Sequence, residues 1–195
     1  IKGANIDFIM RLLRKADKKN SPRIVINSDG SKSLKYKKNN LQKELTKKEL
    51  LFLTKYPLNY ANEQKFIKET LVFLNNIDLS IVLTKFKYKK GSAYWFPKNK
   101  IIKIDIKTIN SGSLTFARIL NHEMIHVAQS CKGGSYTSLP VLIGGKSHLT
   151  TEKKKLLSSK LYRNLSKYEI SLEKEAYSYQ DDLNIGRYLI EKFCL

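Results

Sequence analysis

Between Phe116 and Cys131 the chain carries apolar residues at one spacing and ionisable ones at another. Phe116, Leu120, Met124, Val127 and Cys131 fall within a narrow stripe at the period of an α-helix, and such a stripe must face a core. His122 and His126 project together from roughly the opposite side, with Glu123 one step round from the first of them. This segment therefore predicts a helix packed along one face and carrying an ionisable cluster on another. With 42% hydrophobic and 10% aromatic residues in 195, the chain can fill one core around it, and a wholly disordered chain is excluded.

The remaining elements are read from periodicity and turn chemistry. Residues 4–16 have helical spacing, with Ile6, Ile9, Leu12 and Leu13 opposite Arg11, Arg14 and Lys15. The segment RIVIN, the turn NSDGS and the run SLKYK predict a small hairpin. The lysine-dense stretch 32–48 reads as solvated, mobile surface. A helix is expected over 62–75, a β-branched strand over 77–86, and two strands, 92–97 and 101–106, joined by PKNK. Asn110–Ser113 offers caps for the helix reaching Gln129, and Gly133–Gly134 ends it. Residues 135–150 predict a loop, and helical patterns resume at 151–164 and 169–192. The expected class is α+β: a small mixed sheet with an edge strand above the histidine-bearing helix, and a helical C-terminal half. Residues 1–60 are expected to form an N-terminal helix-and-hairpin appendage, and residues 61–195 the main domain.

His122-Glu123-Met124-Ile125-His126 decides the functional reading. Two imidazoles one turn apart can reach a common ion at the ~2.0–2.1 Å that zinc requires. The carboxylate beside them can take a proton from a metal-activated water, whose pKa falls from 15.7 towards ~7, and later pass it to a leaving amine. The segment resembles the signature helix of the zincin zinc metallopeptidases, across roughly 92–130 and, more loosely, the last helix. That resemblance implies a zinc-dependent endopeptidase holding one catalytic zinc ion. It also implies a third ligand from a downstream helix, as in the gluzincin branch, where a glutamate followed by alanine is common. Glu175-Ala176 fits that pattern. Counting about 100° per residue, Glu175 lies about 65° from the centre of the stripe Leu172, Ala176, Tyr179, Leu183 and Ile190, and Glu173 about 95°. Glu175 is thus the expected ligand, with Glu173 and Glu169 as alternatives. Tyr179 stands where that branch often has an aspartate, so an orienting partner is expected from Asp181, Asp182 or a carbonyl.

Two other readings compete. His148 follows His126 by 22 residues, and a third histidine after such a helix resembles the Spartan-like proteases that act on DNA-bound proteins. The other is a non-catalytic basic binding module, for nucleic acid or anionic membrane, whose zinc is structural or absent. The net charge of +20 suits acidic protein or peptide substrates, nucleic acid or anionic membrane as partners, and no nucleic-acid fold signature accompanies it. On the substrate side, Tyr94 and Trp95 are candidates to line the cleft. Tyr177, Tyr179, Tyr168 and His148 are candidates to stabilise a developing oxyanion. Cys131 and Cys194 are too few for a disulfide framework and are read either as one bridge or as two buried thiols. No run approaches the ~20 apolar residues of a membrane span. The chain begins at Ile1, so a removed signal or propeptide remains an expectation.

Overall fold

The computed structural model describes residues 4–37, 45–86, 91–145 and 148–195. Its first helix, α1 (Ala4–Asn20), places Ile6, Ile9, Met10 and Leu13 in the same buried cluster as the middle of the chain. α1, expected in an N-terminal appendage, thus packs into the same core as the main domain. The predicted hairpin is present as β1 (Arg23–Ile26) and β2 (Lys32–Lys35), paired antiparallel with Arg23 opposite Lys35. Within the lysine-dense stretch, residues 38–44 lie outside the described residues. A further helix, α2 (Lys47–Lys55), begins where that stretch ends, fixed by a capping box between Thr46 and Glu49.

Next comes α3 (Ala61–Asn76), and then a three-stranded sheet of β3 (Ser80–Thr84), β4 (Ala93–Phe96) and β5 (Ile101–Asp105). The order is β3-β5-β4, with β3 parallel and β4 antiparallel to β5, so the sheet is mixed, as expected. Ile81, Ile102 and Ile104 are buried, while Lys103 and Asp105 alternate with them on β5. The central strand is β5 and β4 is an edge, packed on the histidine-bearing helix α4 (Ser113–Lys132). The architecture is α+β with a helical C-terminal half.

The helix α4 is the axis of the molecule, packing against α1, α3 and β4. Its N-terminus is capped from a distance. Gly112 at the N-cap has no side chain to offer, and the Asp17 carboxylate of α1 accepts from Ser113 N at 2.7 Å and from Ser113 Oγ at 2.6 Å. Gly112 is required there: at φ +88°, a Cβ would sit 2.6 Å from Asp17 Oδ1. A buried anion on the first amide of a helix also complements its dipole. The other end of α4 is tied by a disulfide between Cys131 and Cys194, so the bridge reading of the two cysteines holds.

The C-terminal half contains α5 (Thr151–Leu157), α6 (Lys167–Tyr179) and α7 (Ile185–Cys194). The single helix expected over 169–192 is thus two. The break follows from a buried side chain on α4. Asn121 Nδ2 donates to Gln180 O at 3.0 Å and Asp182 O at 2.8 Å, and Asn121 Oδ1 accepts from Gly186 N at 3.1 Å. Carbonyls that would have continued α6 are spent on Asn121, and α7 starts in a new direction. Among the described residues, no helix is long and apolar enough to cross a membrane.

Replacing Asp17 by alanine leaves the first amide of α4 buried without an acceptor. The expected cost is about 1–3 kcal/mol, a fall in Tm of roughly 2–10 °C. Thermal unfolding followed by circular dichroism measures it, and an unchanged Tm would show that the cap does not hold α4.

Candidate metal centre

The site lies where α4 faces α6. His122 and His126 stand one turn apart on α4 with Nε2 atoms 3.1 Å from each other. From α6, Glu173 completes a triangle, with Oε2 3.3 Å from His122 Nε2 and Oε1 3.5 Å from His126 Nε2. Donors ~2.0–2.1 Å from one tetrahedral centre stand about 3.3 Å apart. The observed separations bracket that spacing, and two imidazoles with one carboxylate are a donor set suited to a divalent metal. His122, His126 and Glu173 are the group among the described residues that could hold such an ion.

Glu175, the expected third ligand, is elsewhere. Its carboxylate is buried and accepts three hydrogen bonds at 2.8 Å, from Gln129 Nε2, Ile143 N and Gly144 N. The correction has a physical cause. The angles hold, because Leu172, Ala176 and Tyr179 within α6 set the same stripe centre; what fails is the premise that the glutamate nearer the buried stripe is the ligand. Within α6 the buried residues are Leu172, Glu175 and Ala176, so Glu175 points into the packed interface. Glu173 lies at its flank, where a metal could keep an open coordination position.

The electrostatics divide the site's groups. Burial disfavours charge on all of them. For Glu173, hydrogen bonds to His122 and His126 and their charge overcome it, holding the carboxyl well below its ordinary range. For His126, burial is outweighed by the hydrogen bond and charge of Glu173, with Glu123 adding to them, and the ring is pushed up to about 9. Burial dominates at His122, which is lowered. His122 Nδ1 is buried without a hydrogen-bond partner. Gln180 lies near enough to favour the charged ring but makes no well-formed bond to that atom.

Glu123 sits beside the triangle and not in it. Burial raises it to about 7, with Glu173 adding to the rise, while the charge of His126 and the backbone N–H of Trp95 oppose it. Its Oε2 is buried and has no hydrogen-bond partner. A carboxylate with one free oxygen and affinity for a proton near neutrality is equipped to take and return one.

The other predicted residues separate into two groups. Tyr177 is at the site, its ring centroid 4.5 Å from that of His122. Tyr94, on the edge strand, is close enough that Glu123 and Glu173 add to burial in opposing its ionisation. Trp95 contributes its backbone N–H, whereas its indole Nε1 is tied to Ser130 Oγ at 3.0 Å and does not line the cleft. Tyr179 and Tyr168 are directed to the loop, with hydroxyls on Gly144 O at 3.4 Å and Pro140 O at 3.2 Å. His148 is exposed and stands outside the triangle. Asp181 and Asp182 orient no histidine: Asp181 pairs with Arg118 and Lys153, and Asp182 with the amide of Asn184.

Two site residues escaped the sequence reading. Tyr162 donates or accepts at 2.6 Å with the Tyr177 hydroxyl, and its own ionisation is opposed by burial, by Tyr177 and by both carboxylates. Gln129 meets His126 Nδ1 at 2.8 Å through Oε1. The second had a signal: it lies three residues after His126, hence on the same helix face. Tyr162 had none, since it sits in a turn between α5 and α6.

No curated protein matches the chain, and no solved structure does. A family model matches residues 64–195, from the first turn of α3 to the end of the chain, and so covers the sheet and every residue of the triangle. On that match the chain belongs to the family described as a domain of unknown function (DUF8637).

Proposed function

We propose that this protein is a zinc-dependent endopeptidase, with the metal held by His122, His126 and Glu173 and with Glu123 as general base and acid. The observation that carries the reading is the convergence of both Nε2 atoms and the Glu173 carboxylate within 3.1–3.5 Å, beside a buried glutamate with an unpartnered oxygen. Zinc in such a site supplies Lewis acidity, polarising the scissile carbonyl and acidifying water. Glu123 takes the proton of the attacking water on its free Oε2 and returns it to the departing amine. Tyr177 and Tyr162, kept protonated by burial and by the neighbouring carboxylates, supply a neutral hydroxyl donor at the site.

The substrate is an extended peptide laid along β4, the edge of the sheet nearest Glu123. An acidic sequence is preferred, because Lys103 on the neighbouring strand stands over the Phe96 ring at that edge. The choice of zinc rests on the nitrogen-rich, borderline-soft donor set.

Protein stripped of metal and titrated with zinc against a chromophoric chelator is expected to bind one equivalent. Glu173→Ala abolishes that stoichiometric binding and His148→Ala preserves it. Zinc retained in Glu173→Ala would remove Glu173 from the ligand set. Glu123→Gln is expected to keep the metal and to lose roughly 10²–10⁴-fold in rate. Rates come from a mixture of random peptides incubated with zinc-loaded protein and read by mass spectrometry. No cleavage by the zinc-loaded wild type rejects the peptidase reading, and undiminished cleavage by Glu123→Gln rejects the role given to Glu123.

A further inference from the structure

The buried carboxylate that is not a ligand still has work to do. Glu175 is accept-only in its ionised form, and two backbone amides, Ile143 N and Gly144 N, already point at it from 2.8 Å. Gln129 must therefore turn its NH₂ to Glu175, where Nε2 donates at 2.8 Å and also reaches Leu172 O at 3.2 Å. That leaves Gln129 Oε1 facing His126 Nδ1 at 2.8 Å, and an oxygen there can only accept. A neutral His126 must then carry its one proton on Nδ1, which leaves Nε2 as the nitrogen with a free pair.

From this chain of forced orientations we infer that Gln129 and Glu175 are positioning residues for the metal site. Glu175, anchored by the loop 141–144, sets the orientation of Gln129. Gln129 in turn commits His126 Nε2 to the ion. The inference rests on the metal-site reading above. The loop is itself firmly placed: Lys132 Nζ donates to Leu142 O at 2.8 Å and Ile143 O at 2.6 Å, and Val141 N donates to Gln129 O at 3.0 Å. Both ends of the relay are thus fixed to α4, the helix that carries the histidine. Glutamate is needed at 175 because glutamine there has an NH₂ of its own. It can serve one loop amide with its oxygen while turning that NH₂ towards Gln129, which then flips and presents a donor to His126 Nδ1.

The test is a double-mutant cycle on zinc affinity, using Gln129→Met, Glu175→Gln and the pair, each near-isosteric. Outer-sphere partners of this kind are typically worth 10–100-fold in metal affinity. Each single variant is expected to lose that much by chelator competition, and the pair to lose no more than Gln129→Met alone. A structural role for Glu175 independent of Gln129 would instead multiply the two losses, and that outcome overturns the relay. So does wild-type affinity in Gln129→Met, which decides the matter by itself if Glu175→Gln does not fold. A second readout does not need the metal: the hydrogen-bonded His126 Nδ1 proton, observed by NMR in metal-free wild type at a pH where the ring is neutral, should vanish in both single variants. If wild type binds no zinc, the peptidase reading falls while this signal still tests the relay. Its persistence in Glu175→Gln would refute the relay.

Discussion

A helix buried on most of its circumference cannot carry polar side chains unless each finds a partner, because an unpaired buried donor or acceptor costs about 1–3 kcal/mol. Asn121, His122, Glu123, Gln129 and Ser130 are all buried on α4, and this constraint organises the molecule around them. Asn121 bends the chain between α6 and α7, and Ser130 takes the Trp95 indole and so helps hold the edge strand down on α4. Gln129 draws in Glu175 and, through it, the loop after α4. The fold is to this extent the solution to satisfying one helix. Two buried atoms on that helix stay without a partner, His122 Nδ1 and Glu123 Oε2, and both lie at the proposed active site. Among the described residues one other buried side-chain atom, the Tyr136 hydroxyl, shares that state, so two of the three such atoms meet at this one place.

What could be read from the sequence follows from the range of the interactions involved. Local pattern sufficed for the stripe through Phe116 and Leu120, for the alternation along β5, and for the pairing of His122 with His126 across one helical turn. It failed where a distant residue decides. The break at 180–184 depends on Asn121, some sixty positions earlier, and the engagement of Glu175 depends on Gln129 and on loop amides that no helical wheel shows. The remote cap of α4 by Asp17 was equally out of reach, and so α1 looked detachable when it is in fact bound to the end of the central helix. In both cases a buried polar side chain far away in sequence overrides the local pattern.

The two glutamates of α6 show why nearness to the core is a poor guide to ligation. Glu175 is the more deeply placed in the helix interface, and both its oxygens are engaged by donors there, one from Gln129 and two from the loop. Ligation of an ion would have to displace them. Glu173, with its side chain 22% exposed, keeps its oxygens for the two histidines. Together they split a task that one residue could not perform, one carboxylate holding the scaffold in place and the other lending charge to the opening.

The charge balance of the opening is compatible with the divalent occupant proposed above. With both imidazoles neutral, Glu123 and Glu173 place two negative charges in a poorly hydrated space, an arrangement that is strongly unfavourable unless compensated. The neighbouring tyrosines cannot help, since burial and the same carboxylates keep Tyr162 and Tyr177 protonated and uncharged. Protons supply the compensation in the metal-free protein: His126 holds one up to about 9, and Glu123 recovers one near 7. A doubly charged cation among the three donors would replace those protons. It would free Nε2 of His126 for ligation and lower the proton affinity of Glu123, so that the carboxylate is ionised and ready to act as a base. The same two carboxylates that hold protons on His126 and oppose ionisation of the tyrosines are thus disposed to face a +2 charge.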